Sequence, residues 1–392
     1  YKDSAGIGDF KYPVPDGALA LCSNNLSRVD NTKNTESILD AKKHFDVLLY
    51  TGNAGTDHDI TGLQFQPDLV WIKSRSQGSS NHGIVDSVRL DSGSHPMLYP
   101  NLTNAETVAG SYMDVGGGST PFLHNGIRVN NNTSGNNNGS TYVAWCWKAG
   151  GAAVSNSDGS ITSSVSANQQ AGFSIVTFTG TGSAGTVGHG LGKAPSLVIT
   201  KRRNADQAWF THHRSLSNGH YIRLNGNQAQ GADTNVYPNN MSTTNTFAVG
   251  GDDGVNGNGS TYVSYCWTPI PGYSAFGRYE GNGNADGTYV YLGFRPAMIM
   301  IKCYSDGGNS YNWFLVDSSR GPYNNIYQRL QPNDYVAEVT DSTNAATVDF
   351  YNDGFKCRGT GSLINSDQKH YVYAAWAEQS TNTPFASEPN AR

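Results

Sequence analysis

TYVAWCWKAGG (141–151), TYVSYCWTP (261–269) and HYVYAAWAEQ (370–379) read as three versions of one strand, each with tyrosine followed five residues later by tryptophan. Side chains alternate between faces along an extended chain. In the first version Val143, Trp145 and Trp147 therefore share one face, and Tyr142, Ala144 and Cys146 the other. Both faces are largely apolar, so the strand is expected to be central and covered on both sides. Its recurrence makes an internal repeat the first thing to pursue, since a missed repeat misassigns the whole fold.

The rest of the chain repeats around these strands. PDLVWIKSR (67–75), PSLVITKRR (195–203) and PAMIMIKCY (296–304) each begin with proline and carry a lysine six residues later: Lys73, Lys201 and Lys302. Each unit opens on a run ending in glycine, namely DVLLYTG (46–52), SIVTFTG (174–180) and AFGRYEG (275–281). The third run is expected to hold an extra residue, and so a bulge, near Gly277. Arg89, Arg214 and Arg320 close a further shared segment and are expected to be equivalent. Asn125-Gly126, Asn245-Thr246 and Asp353-Gly354 mark turns, where Asn-Gly and Asp-Gly supply the positive φ that a two-residue hairpin needs. The polar stretches 130–140, 250–260 and 358–368 read as exposed loops.

Short runs rich in Val, Ile, Tyr, Phe and Trp between Gly, Asn, Ser and Asp clusters predict an all-β fold of three tandem, jelly-roll-like β-sandwich units. The expected divisions are an N-terminal connecting segment 1–44, units at 45–150, 172–270 and 271–380, a linker at 151–171 and a C-terminal tail 381–392. One short helix is expected at 36–45.

Composition narrows the function. With 26 Lys+Arg against 31 Asp+Glu, the net charge of −5 lacks the basic footprint of a nucleic-acid or anionic-membrane binder, and no apolar run is long enough to span a bilayer. The five cysteines include no CxxC pair and suggest reduced thiols, although Cys303 and Cys357 could bridge within one unit. Groups present in three copies, such as the lysines and Trp147, Trp267 and Trp376, read as structural, because a catalytic group rarely needs three equivalents. Asp57-His58-Asp59, Asp252-Asp253-Gly254 and His212-His213 lack the spacing of calcium or zinc sites, so no metal or cofactor is expected. No GxSxG elbow, HExxH motif or phosphate-cradling glycine loop occurs, and glutamates are few, so no catalytic residues and no enzyme activity are expected. The remaining candidates are tyrosines near turns of the third unit, Tyr304, Tyr311, Tyr323, Tyr327 and Tyr335, joined by Tyr351, which offer amphipathic contact area.

FKYPVPDGALALCSNNL (10–26), PDLVWIKSR and STYVAWCWKAGG together resemble a family of structural proteins predicted in phages of marine bacteria, cyanophages included. In that family the module often follows a SPRY-type, concanavalin-like domain, whose tail end 1–26 resembles. The likeness is strong over 1–26 and 45–151, weaker over 172–268 and weakest over 272–378, where Ala375 replaces the cysteine. The resemblance implies a virion component, foremost a tail fibre or receptor-binding appendage touching the host surface, and alternatively a capsid or tail decorating protein. It assigns no catalytic residue. The partners implied are other virion proteins and a host glycan or protein. A homotrimer is expected by analogy with fibres, although three internal repeats could supply a pseudo-threefold arrangement within one chain. Such a protein is assembled in the host cytoplasm and exposed extracellularly in the virion.

Overall fold

The computed structural model describes residues 40–90, 93–108, 111–113, 120–305, 311–340 and 345–379. The expected opening likeness at 1–26, the first four residues of the expected helix, Cys22 and the tail 381–392 lie outside them. The described chain is all-β, and one antiparallel strand order occurs three times. An opening strand (Phe45–Thr51, Phe173–Thr179 or Ser274–Glu280) pairs with the tyrosine-tryptophan strand (Thr141–Trp147, Thr261–Trp267 or His370–Ala377). That strand pairs on its other side with the lysine strand (Leu69–Ser74, Leu197–Arg202 or Pro296–Cys303), which pairs with an edge strand (Gly83–Asp86, Phe210–His213 or Phe314–Asp317). The tyrosine-tryptophan strand is thus central, as its two apolar faces require.

Those faces serve different cores. Tyr142, Ala144 and Cys146 turn outward into a core completed by Ile60, Phe122, Ile127 and Val129 of a smaller covering sheet. Tyr262 and Cys266 do the same under Val187, Phe247 and Val249. Val143, Trp145 and Trp147 turn inward to a core shared with Val263, Tyr265, Trp267, Val372 and Trp376 of the other two sheets. At its centre the three tryptophans meet edge to face: Trp147 lies 6.1 Å from Trp267 and 5.5 Å from Trp376, and Trp267 lies 5.9 Å from Trp376, ring centre to ring centre. None of the three buried indole N–H groups has an oxygen or nitrogen acceptor among the described residues. Edge-to-face packing compensates by bringing ring edges onto π faces, where an N–H can donate weakly.

Three recurring devices hold the loop before each central strand. The Tyr142, Tyr262 and Tyr371 hydroxyls accept hydrogen bonds from the Asn137, Gly257 and Ser366 backbone N–H groups at 2.6 to 2.9 Å. Fully buried Asn136, Asn256 and Asn365 accept from the N–H groups of Asn53, Thr181 and Asn282, while their amides donate back across the same loop. The glycines ending the opening strands, Gly52, Gly180 and Gly281, permit this approach, since a Cβ on them would fall 2.2 to 2.4 Å from a carbonyl oxygen of the loop. The loops are therefore anchored at buried points and are not freely exposed throughout.

Several expectations are corrected. Ser274–Glu280 pairs without interruption and holds no bulge at Gly277. Its glycine makes room for the Tyr373 hydroxyl, and the register shifts fall at Pro296/Met298 and Asp286/Tyr289. In place of the expected helix, the described part has a 3-10 turn at Ala41–Lys43, after which Phe45 starts a strand and its ring packs on Trp147 at 4.9 Å. The two-residue turns are His124-Asn125 and Asn352-Asp353. Gly126 and Gly354 each begin the next strand, where a Cβ would strike Ile60 or Val290 oxygen, so close approach and not positive φ selects glycine. Within the expected linker, Val154–Asn156 and Ser163–Asn168 form strands that extend the second sheet beside Phe173–Thr179. Cys303 and Cys357 form no disulfide, in keeping with the expected reduced thiols, and they are buried, as are Cys146 and Cys266.

Removing one central indole leaves a cavity that two other sheets cannot close, so Trp376→Ala is expected to cost about 3–5 kcal/mol. Gly52→Ala, which forces Cβ into a backbone oxygen, is expected to cost about 1–3 kcal/mol. Urea denaturation of both variants beside the parent chain checks these values.

Candidate functional site

The same alignment of strands separates groups that hold the fold from groups free to act. Pairing Leu69 with Asp86, Leu197 with His213 and Met298 with Asp317 makes those three edge residues equivalent. Counting three residues on, Leu216 and not Arg214 corresponds to Arg89 and Arg320. Arg214 is exposed, which corrects the expected arginine triplet.

Where the first and second sheets meet, Arg89 Nε donates to Asp86 at 2.6 Å and Arg89 Nη1 to Glu106 at 3.0 Å. Arg203 joins the same Glu106 at 2.9 Å, and the Tyr265 hydroxyl donates to Asp86 at 2.7 Å. The third and first sheets meet through the same constellation: Arg320 binds Asp317 at 2.6 Å and Glu338 at 2.9 Å, Arg75 binds Glu338 at 2.9 Å, and Trp145 donates to Asp317 at 3.0 Å. Burial pushes Asp86 toward its neutral acid, but Arg89 outweighs it and holds the carboxyl below the usual range. Burial likewise opposes ionisation of Glu106 and Glu338, and their paired arginines overcome it.

The second and third sheets meet through a neutral counterpart. Gln230 N–H donates to Tyr304 carbonyl just as Glu106 N–H does to Arg203 and Glu338 N–H to Arg75. Tyr304 thus occupies the arginine position and is 6 % exposed, so it is not a surface aromatic as expected. Here His213 replaces the aspartate and lies 3.1 Å, through Nε2, from the Tyr373 carbonyl. Its Nδ1 accepts from Ser215 N–H, so Nε2 carries the proton.

Lys73, Lys201 and Lys302 are buried beside these junctions. Making no ion pair among the described residues, their ammonium groups donate to backbone carbonyls: Lys73 to Ser74, Lys201 to Arg202 and Ala205, and Lys302 to Cys303, Tyr311 and, across the junction, Asn227. Burial lowers all three to a pKa of about 8. The other polar motifs are also engaged. Asp59 pairs with Arg128, His58 meets Asn136, Asp253 pairs with Arg202, and His212 packs edge-on to Tyr237. Among the described residues no group of three His, Cys, Asp or Glu is placed to hold a metal ion.

Surface aromatics are what remain, in a set that shares exposed Tyr323, Tyr327 and Tyr335 with the expected one. Tyr311 is half-buried, with its N–H on the Asn227 carbonyl. Tyr335 is exposed and lies in the segment whose Glu338 N–H meets the Arg75 carbonyl. Tyr323 and Tyr327 are exposed on a segment docked along Thr347–Tyr351 by Ile326 N–H to Val348 and by Asn324 to Phe350. They flank the third covering sheet, made of Asp286–Tyr291, Gly354–Arg358 and Thr347–Tyr351. Its outer face carries Tyr289 and Tyr291, which the sequence reading missed although their alternation in GTYVYLG is the legible signal. The Tyr289 hydroxyl donates to Asp353 at 2.6 Å, and its ring stands edge-on to Tyr351 at 6.0 Å. Arg358 donates to the Tyr351 hydroxyl at 2.9 Å and to Asp349 at 2.7 Å, and also pairs with Asp286, to which Lys356 binds at 2.7 Å.

Two tests probe the junctions. Glu338→Ala strands Arg320 and Arg75 without their shared carboxylate, and its expected cost is about 3–5 kcal/mol by denaturation. Burial also lowers His213 to a pKa of about 3 and His44 to about 4, both below the ordinary 6.5. The folded chain therefore holds fewer protons than the unfolded chain below pH 6.5, so stability is full above that value and falls as pH drops toward 3. Denaturation midpoints from pH 7 to 5 are expected to decline, and His213→Gln to flatten the decline.

No curated protein and no solved structure matches this chain. The model of a family described as a domain of unknown function (DUF7483) matches residues 40–380, the three sheets entire, and the chain belongs to that family.

Proposed function

We propose that this protein is a non-enzymatic structural component of a phage virion, a tail fibre or receptor-binding appendage that contacts the host cell surface. The observation that carries this reading is the division of labour among equivalent positions. The buried charges at the junctions are paired with one another or with backbone, while among the described residues the third covering sheet alone presents a cluster of exposed tyrosines. A surface that the fold does not need, on a block stabilised by an internal aromatic core, suits binding better than catalysis. The sequence resemblance supplies the virion context. Other virion proteins are the partners this role requires.

Immunogold labelling of intact phage particles with antibody to this chain tests the assignment. Label on the tail or its fibres is the expected result. Label across the head would replace the appendage by a decorating protein, and particles without label would overturn both.

A further inference from the structure

We infer that the outer face of the third covering sheet binds a neutral, pyranose-containing oligosaccharide, with Tyr289, Tyr291 and Tyr351 as its stacking platform. The inference rests on the cell-contact reading above and names what is recognised there.

Comparison with the other two covering sheets shows that the tyrosines are not required by the architecture. The pairings Tyr291 with Gly354, Thr61 with Gly126 and Gly188 with Thr246 are equivalent. Tyr289 and Tyr291 therefore correspond to Asp59 and Thr61 in the first sheet and to Thr186 and Gly188 in the second. Tyr351, which pairs with Gly354, corresponds to Leu123, which pairs with Gly126. Only the third sheet places aromatic rings on this face, and it leaves Tyr289 43 % and Tyr291 69 % exposed.

Two of the three rings are also held in place before any ligand arrives, and Tyr291 stands exposed beside them. Tyr289 is tied to Asp353 and Tyr351 to Arg358. Gly354 leaves open the space beside the Tyr289 ring, since a Cβ there would lie 3.1 Å from the Tyr289 hydroxyl. Fixed aromatic faces lose little conformational entropy on binding, which favours stacking against the C–H face of a sugar ring. Around them stand groups that recognise hydroxyls: Asp286, Asp349 and Asp353 have spare acceptor sites, and Arg358 and Lys356 are donors.

Charge selects a neutral ligand. Three carboxylates face two cations, and both cations are already paired, Lys356 with Asp286 and Arg358 with Asp286 and Asp349. A sialylated or sulfated glycan would meet a slightly acidic face with no free cation among these groups. Tyr323 and Tyr327, on the segment docked beside Thr347–Tyr351, extend the aromatic surface along the sheet and suit a ligand of more than one ring.

The test applies the purified chain, Tyr289→Ala and Tyr291→Ala to an array of neutral, sialylated and sulfated oligosaccharides, and in parallel to host cells. Binding of the parent chain to neutral glycans, weakened at least about tenfold in both variants with unchanged melting temperature, is the expected result. If Tyr289→Ala melts early through loss of its Asp353 bond, Tyr291→Ala alone decides. Binding confined to anionic glycans, binding to none, or neutral binding indifferent to Tyr291→Ala overturns the inference. A parent chain that adsorbs to cells without binding neutral glycans overturns this inference alone, whereas failure to adsorb overturns the cell-contact reading on which it rests.

Discussion

The closure of three sheets around Trp147, Trp267 and Trp376 is the constraint on which the rest depends. Each central strand is apolar on both faces, and a covering sheet buries only one of them. The other face finds cover only in the two remaining sheets. Full burial of an aromatic side chain of this size stabilises by several kcal/mol relative to exposure, so the inward faces draw the sheets together more strongly than any junction charge does. The polar junction contacts then set the arrangement. Glu106 reaches from the first sheet to the second, Gln230 from the second to the third and Glu338 from the third back to the first, so the same contact, made three times in one direction, closes on itself. A head-to-tail contact that closes leaves no sticky end for a further copy.

Carrying three sheets on one chain allows the copies to differ where symmetry would forbid it. Two junctions hold an Asp–Arg–Glu–Arg cluster, and the third holds His213, Leu216, Gln230 and Tyr304 at the matching positions. Desolvated ion pairs contribute little net stability but penalise wrong partners. Charged and neutral surfaces thus suit only their own junctions, which favours a single order of sheets around the axis. The same freedom lets one covering sheet carry aromatics that the other two lack. The groups that recur three times at the junctions and the centre are held inside, whereas Tyr289 and Tyr291, which occur once, are exposed.

The central strands were legible because their alternation is strict over seven residues and their repetition is close, as TYVAWCW and TYVSYCW show. The repetition of the lysines and tryptophans was legible for the same reason, and the structure buries all six. The misreadings have physical causes. Arg214 was aligned by residue type, whereas strand register places Leu216 there. Gly126 and Gly354 were credited to turn geometry, whereas a neighbouring carbonyl excludes a side chain. The 151–171 stretch is rich in small residues and polar, yet Ser163–Asn168 pairs on both flanks and Val154–Asn156 takes the edge, where only one flank needs a partner. Tyr304 could not be placed from sequence, since it is buried at a junction where Gln230, distant in the chain, meets its backbone carbonyl. Tyr289 and Tyr291 went unnoticed because their meaning lies in the comparison with Asp59 and Thr61, which only the paired register supplies.

The central claim is that one face of a self-contained block meets the outside. Hydroxyl-radical footprinting of the chain, free and bound to host-cell envelopes, measures this directly by reporting tyrosine protection residue by residue. The account predicts protection at Tyr289, Tyr291, Tyr323 and Tyr327, with no change at buried Tyr142, Tyr262 and Tyr371. Protection on the first or second covering sheet, with Tyr291 as reactive as in the free chain, would contradict it.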